Sequence, residues 1–298
     1  MTDFRSGFVA VVGRPNVGKS TLVNALVGEK ISIVTAKPQT TRHAIVAVLN
    51  ADAFQVVFID TPGIHSGSKK LMNRTMNKAA SNSLADADLV LLLVEAGRWT
   101  DEDQAVLEQI IQSGRRCMLV VNKVDRIKPR EALLPFLAEC GQRHEFAEIV
   151  PVSALKNSNL DRLQSLLGET LPVQEAFYDS GTVTDRSMEF RVAEMLREKL
   201  MEALHEEVPY GVGVEVNKLE SSDRRVLVDI VIWVDRVSHK GIVVGKDGER
   251  LKKVGRQARL ELEQIFKRSF HLQTHVKARE NWSDNAQALR QMGYDERY

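Results

Sequence analysis

The sequence predicts two domains: a doubly wound α/β domain with a mostly parallel sheet over residues 1–172, and an α+β domain over residues 188–298. A linker at 173–187 joins them. Three observations predict this. Up to about Leu171, short apolar runs alternate with amphipathic stretches. Several of those runs end in a polar motif, and the carboxyl ends of parallel strands are where such folds hold ligands. Beyond Ser187 the order changes to helix, strand, strand, short helix, Gly-x-x-Gly, helix, strand.

Length and composition set the bounds. The chain of 298 residues is long enough for two cores, and 43% hydrophobic with 27% charged residues is ordinary for a soluble globular protein. Its 41 basic and 40 acidic residues give a net charge of +1, so any nucleic-acid site must be a local patch. The two cysteines, Cys117 and Cys140, exclude a disulfide framework and point to a reducing compartment. No apolar run reaches membrane-spanning length, and no apolar signal region opens the chain. The expectation is a cytosolic protein, with peripheral attachment to a membrane surface left open.

The first apolar run, residues 8–12, reads as a buried strand. It leads into Gly13-Arg14-Pro15-Asn16-Val17-Gly18-Lys19-Ser20, followed by a helix from Thr21. This is the strand–loop–helix setting of a phosphate-binding loop. Glycines let the backbone turn its N–H groups towards phosphate oxygens, and the helix dipole adds to that field. Lys19 would reach the β- and γ-phosphates, and the Ser20 hydroxyl would hold Mg²⁺.

Between the first helix and the next strand lies Thr40-Thr41-Arg42. One of its threonines, with Thr41 favoured, would complete the Mg²⁺ shell when a nucleoside triphosphate is bound. Residues 45–49 read as an edge strand and 55–59 as a buried one. The latter ends in Asp60-Thr61-Pro62-Gly63, where Asp60 would hold Mg²⁺ through water and Gly63 would offer its N–H to the γ-phosphate. Residues 89–94 form a further core strand.

The strand at 117–121 ends in Asn122-Lys123-Val124-Asp125. Guanine carries N1–H and N2–H donors on one edge, and a carboxylate accepts both, so Asp125 selects guanine over adenine. Asn122 would bridge the base and neighbouring loops, and the Lys123 stem would lie on the ring. Ser153-Ala154-Leu155, after the strand at 149–152, would close on the base. The catalytic set is then Lys19, Thr41 and Gly63, and the metal set Ser20, Thr41 and Asp60. Together the five elements resemble the Ras-like GTPase superfamily.

In the second domain a helix is expected from Met188 to about Glu207, then strands at 212–219 and 226–234 with Ser221-Ser222-Asp223 as their turn. Gly245-Lys246-Asp247-Gly248 follows between two helical segments, the second reaching about Arg268, and a last strand covers 272–278. A Gly-x-x-Gly loop lets a nucleic-acid backbone lie against main-chain N–H groups. Basic residues concentrate around it, and Lys240, Gly245, Lys246, Asp247, Gly248, Arg250 and Lys253 form the candidate RNA site. Trp233 reads as core and His239 as a surface residue, while Trp282, Tyr294 and Tyr298 read as packing a C-terminal helix onto this domain.

A Ras-like GTPase domain followed by a type II KH domain resembles the Era family of bacterial GTPases over nearly the whole chain. The strings that carry the resemblance are residues 13–20, Pro-Gln-Thr-Thr-Arg-His at 38–43, Asp-Thr-Pro-Gly-Ile-His at 60–65, Thr-Asp-Arg at 184–186, Glu-Val-Pro-Tyr at 207–210 and Ile-Val-Val-Gly-Lys-Asp-Gly at 242–248. The resemblance implies a monomer that binds the 3′ end of 16S ribosomal RNA and assists assembly of the 30S subunit, coupled to growth and the cell cycle. It also implies cytoplasmic residence with peripheral association at the inner membrane. Ile64 stands where many Ras-like relatives carry a water-orienting glutamine, so slow intrinsic hydrolysis is expected. In relatives that use potassium, an asparagine at the position of Asn16 helps hold the ion, which makes K⁺ a candidate beside GTP/GDP and Mg²⁺. Two rival readings stand here: an RNA-chaperone module with incidental hydrolysis, and a GTPase of tRNA modification, which fits poorly because the larger helical surround is missing.

Overall fold

The computed structural model describes residues 3–62 and 71–291. The first domain alternates strands and helices: β1 (Arg5–Val12), α1 (Lys19–Val27), β2 (Ile45–Asn50), β3 (Phe54–Asp60), α2 (Leu71–Asp86), β4 (Leu89–Glu95), α3 (Asp101–Ser113), β5 (Cys117–Asn122), α4 (Leu133–Gly141), β6 (Ile149–Pro151) and α5 (Leu160–Thr170). Strand order is β2-β3-β1-β4-β5-β6. All pairs are parallel except β2 with β3, so 45–49 is the edge strand that its position suggested.

Alternation along each strand divides the core into two layers. Val9 and Val11 of β1 face α1 and α5, whereas Ala10 and Val12 pack with Val106, Leu107 and Ile110 of α3. Strand β4 is buried along almost its whole length, as its unbroken apolar run requires. The helices are fixed locally as well as by packing. Thr100 caps α3, with Asp103 completing a reciprocal capping box.

Residues 173–187 carry no helix or strand, yet they are bound to the first domain along most of their length. Gln55 receives the N–H groups of Phe177 and Tyr178 on Oε1 and donates Nε2 to Tyr178 O. Val48 N–H donates to Val183 O, and the Thr184 hydroxyl to Val46 O. Phe177 lies against Phe8 with ring centroids 4.5 Å apart.

The second domain contains α6 (Met188–Ala203), β7 (Val212–Ser221), β8 (Arg225–Val234), α7 (Val237–Val244), α8 (Glu249–Phe266), β9 (Ser269–Ala278) and α9 (Ala286–Gln291). Its sheet order is β7-β8-β9, antiparallel then parallel. Val226, Val228, Ile230, Ile232 and Val234 of β8 pack with Leu196 and Leu200 of α6 and with Val254, Ala258 and Leu262 of α8. Helix α6 stops at Ala203 rather than near residue 207: Leu204 turns extended while its N–H still donates to Leu200 O, and a separate short turn then carries Pro209. Lys267, left-handed at φ 54°, ends α8 and starts β9 three residues before the expected position.

Three residues differ from expectation. Trp233 lies opposite the buried positions of β8, on the outer face of the sheet, where its Nε1–H donates to Glu215 Oε2 at 2.7 Å. His239 is buried, since it shares a face of α7 with Val243 one turn on. Trp282 packs on the first domain as well: it is fully buried with Met72 and Met76 of α2, and its Nε1–H donates to Gly211 O at 3.0 Å. Tyr294 and Tyr298 lie outside the described residues.

Candidate functional site

The loop between β1 and α1 depends on two glycines in backbone regions that L side chains avoid. A Cβ on Gly13 (φ 151°) would stand 2.5 Å from Leu93 O, and one on Gly18 (φ 102°) 2.4 Å from Asn122 Nδ2. Asn16 also adopts a left-handed conformation, at φ 63°. Gly18 caps α1, whose first residue is Lys19, so the amino terminus of the helix opens into the loop. The Lys19 ammonium donates to Gly13 O at 2.9 Å and Arg14 O at 3.1 Å. Burial pushes its pKa down to about 8, partly offset by the Asp60 carboxylate.

Ser20, Thr41 and Asp60 converge beside Lys19. The Ser20 and Thr41 hydroxyls are 2.9 Å apart. Thr40, by contrast, hydrogen-bonds Thr35 Oγ1 and Lys37 O, both at 2.7 Å, which leaves Thr41 as the threonine that faces the loop. Asp60 is fully buried, and desolvation pushes its pKa up against the influence of the Ser20 and Ser32 hydroxyls and Lys19. Neither of its oxygens completes a well-formed hydrogen bond among the described residues. A buried carboxylate without full hydrogen bonding, facing two hydroxyls, is the donor set of a hard divalent cation, so these residues fit Mg²⁺. The Thr61 hydroxyl turns away to donate to Val11 O at 2.8 Å, and Pro62 is buried beside it. Gly63 and Ile64 lie outside the described residues.

The base-reading loops are joined to the phosphate loop by Asn122, which is almost fully buried. Its Nδ2 donates to Val17 O at 2.9 Å, and its Oδ1 accepts from Ala154 N at 3.0 Å. Lys123 Nζ donates to Asn16 O at 2.7 Å. Val124 N–H donates to Val152 O, and Asp125 Oδ1 accepts from Ser153 Oγ at 2.5 Å. Leu155 is largely exposed at the rim. These loops line a cavity of about 420 Å³ together with Lys19, Ser20, Thr21 and Thr41.

Sequence reasoning missed Glu95, at the end of β4. It pairs with Lys123 at 3.1 Å, Arg126 at 3.3 Å and Arg14 at 3.4 Å, and Arg14 also reaches Asp103 at 3.1 Å. Despite partial burial, these cations hold its carboxyl below the usual range. An acidic residue after an apolar run was the available signal, but it belonged to none of the motifs.

A second cavity, of about 580 Å³, lies beside Gly245. Gly245 and Gly248 both have φ 76°, and Asp247 between them is left-handed at φ 51°. Gly248 caps α8, so that helix, like α1, begins at a glycine loop. Gly245, Lys246, Arg250 and Lys253 line the groove; Lys240, exposed on α7, Asp247 and Gly248 lie outside its lining. The opposite wall comes from α6 and the residues after it: Lys199, Glu202, Ala203 and His205. Sequence reasoning did not foresee this wall, because contact between α6 and α8 leaves no trace in either helix's own periodicity.

Comparison with known proteins finds a match for each domain. A family model described as 50S ribosome-binding GTPase matches residues 8–123, and a KH-domain model matches residues 207–283. The GTPase Era of Xanthomonas axonopodis pv. citri (strain 306) is 47% identical over 98% of this chain and 97% of its own. That of Ectopseudomonas mendocina (strain ymp) is 44% identical over 99% of both chains. The chain belongs to the Era family of GTPases.

Solved Era structures share the entire architecture. A point variant of Aquifex aeolicus Era bound to GDP and AlF₄⁻ superposes with a TM-score of 0.94 at 37% identity, covering 98% of this chain and 99% of that one. An Era complex with MgGDPNP and nucleotides 1506–1542 of 16S ribosomal RNA matches with the same score, identity and coverage. As an Era-family GTPase, this protein joins a Ras-like domain with a mostly parallel sheet to a KH domain, and it hydrolyses GTP.

Proposed function

We propose that the chain is a switch that binds GTP and GDP with Mg²⁺ in the first cavity and the 3′ end of 16S ribosomal RNA in the second, and so assists assembly of the 30S subunit. The observation that carries this reading is the presence, in one chain, of a guanine-type pocket joined through Asn122 and a basic groove bordered by Gly245 and α8. Lys19 meets the β- and γ-phosphates from the floor of the loop. Asp125 accepts the two guanine donors, held in place by Ser153. Ser20, Thr41 and Asp60 hold the divalent ion, which when bound neutralises charge developing on the phosphate oxygens.

In the groove, backbone N–H groups at the amino end of α8 and the cations of Lys246, Arg250 and Lys253 take RNA phosphates. K⁺ held by Asn16, at the rim of the first cavity, is a further source of charge for a site whose water-orienting position is Ile64. Cytoplasmic residence agrees with two buried free thiols, Cys117 and Cys140. Peripheral contact at the inner membrane, a monomeric state and coupling to growth and the cell cycle rest on the family resemblance.

Single-turnover hydrolysis with and without 30S subunits, beside binding of a 16S 3′-end oligonucleotide in the GDP and GTP-analogue states, tests the reading. Stimulated hydrolysis and state-dependent RNA affinity are expected. RNA binding indifferent to nucleotide, with hydrolysis indifferent to 30S, would favour a plain RNA-binding module.

A further inference from the structure

Thr41 lies in a segment of the first domain that is fastened to the second on both sides of it. Before Thr41, Lys37 Nζ donates to Met201 O and Leu204 O at the carboxyl end of α6, where a cation is favoured. Thr40 O accepts from Arg197 Nη2 at 2.5 Å. Arg197 is 1% exposed and is itself fixed by Glu194, through Nε at 2.7 Å and Nη2 at 2.5 Å. After Thr41, the Arg42 guanidinium, 2% exposed, donates to Val212 O at 2.8 Å, Tyr210 O at 3.1 Å and Pro209 O at 3.3 Å. His43 then packs edge-on against Phe190 of α6, ring centroids 5.1 Å apart. Between these anchors Thr41 turns back to Ser20.

We propose that Arg197 of the KH domain is a positioning residue for GTP hydrolysis: by holding Thr40 O, it presents the Thr41 hydroxyl to the cation site formed with Ser20 and Asp60. This rests on the nucleotide site read above. The physical case is one of cost. A loop residue that must ligand a cation loses entropy when it is ordered, and two buried guanidinium groups order it beforehand. Arg197 is not among the residues that line the nucleotide cavity; its guanidinium donates to Glu194, Thr40 O and Met201 Sδ. The same helix lends Lys199 and Glu202 to the RNA groove, so one element lines that groove and holds the segment that carries Thr41.

The test uses the full chain with two variants. Arg197→Lys keeps the charge beside Glu194 but loses the planar two-nitrogen grip on that carboxylate that aims Nη2 at Thr40 O. Glu194→Leu with Arg197→Met removes the buried pair as a unit, so that neither partner is left behind without the other. In both, the turnover number is expected to fall by about tenfold to a hundredfold with KM nearly unchanged. Mg²⁺ required for half-maximal binding of a fluorescent non-hydrolysable GTP analogue should rise about tenfold, while GDP affinity stays within about twofold. In the nucleotide-free protein, amide exchange at residues 40–42 should accelerate. Unchanged turnover and Mg²⁺ dependence would overturn the proposal, whether or not exchange accelerates. Loss of GDP affinity in parallel with turnover in both variants would also overturn it, because Arg197 would then serve the fold alone. The nucleotide-site reading fails separately, if the wild type binds neither nucleotide.

Discussion

Asn122 Nδ2 donates to Val17 O across 2.9 Å, so the loop that reads the base and the loop that holds the phosphates are one mechanical unit. The same side chain receives Ala154 N on its Oδ1, which adds the third loop. Asn122→Ala would leave both backbone groups without this partner inside the protein, at a cost of about 1–3 kcal/mol each. GDP and GTP affinity should therefore fall together by about a hundredfold or more. Titration with fluorescent nucleotides checks this; loss of GTP affinity alone would contradict it.

Asp125 is expected to set base choice. Asp125→Asn replaces an acceptor by a donor where guanine offers a donor and xanthine an acceptor. Preference should move from GTP towards XTP, measured by competition against fluorescent GDP. Ser153→Ala, which removes the hydroxyl 2.5 Å from Asp125, should weaken GDP binding more mildly without changing the preferred base.

The lowered pKa of Lys19, about 8, makes nucleotide binding pH-dependent. A bound phosphate favours the ammonium, so its pKa rises in the complex. Below pH 8 the lysine is charged before and after binding, and affinity is flat with respect to this group. Above pH 8 binding must take up a proton, and GDP affinity should decline. Calorimetry at pH 8.5 in buffers of different ionisation enthalpy should register fractional proton uptake. Lys19→Arg, which stays charged, should lose that uptake even where it binds weakly. Lys19→Ala and Ser20→Ala should each impair hydrolysis at saturating nucleotide.

RNA binding should be abolished by Gly245→Asp with Gly248→Asp. A Cβ on Gly245 would stand 2.7 Å from Arg250 Cβ, both positions have φ 76°, and two negative charges would enter a phosphate site. GTP binding should survive. Lys246→Ala should weaken binding mildly and lower the slope of log affinity against log salt by about one. Anisotropy with a 16S 3′-end oligonucleotide at several salt concentrations reads both effects.

Hydrolysis should be faster in potassium than in sodium buffer if Asn16 holds a monovalent cation. Asn16→Ala should remove the difference while leaving the contact of the residue 16 carbonyl with Lys123 in place. Equal rates in the two buffers would reject the role.

The first domain was legible in the sequence because parallel strands buried on both faces leave continuous apolar runs, and because phosphate and base binding demand particular residues at their ends. Period-two alternation on β8 also carried the true position of Trp233: even-numbered residues from Val226 to Val234 face the core, and Trp233 is odd. His239 was misread from its charged neighbour Lys240, although helical spacing to Val243 would have turned it inward. The contacts of Arg42 and Arg197 could not be read at all. Arg197 ties a helix to a loop 157 residues before it, Arg42 reaches carbonyls 167 to 170 residues on, and no local pattern encodes such pairings. Glu95 escaped for a similar reason, since its partners come from two segments far from it in sequence, Arg14 from one and Lys123 and Arg126 from the other.

The segment after residue 172 has one more consequence. Thr184 is fastened to Val46, Arg186 Nη2 donates to Ala44 O, and Ser187 already accepts Phe190 N as the cap of α6. The leash between the two halves is therefore only a few residues, with a reach of roughly 10 Å. Released from its contacts, the KH domain could pivot but not wander, and each half would meet the other at an effective concentration of at least millimolar order. Rebinding is then nearly unimolecular, so the contacts around Thr41 can be individually weak and still re-form after every turnover.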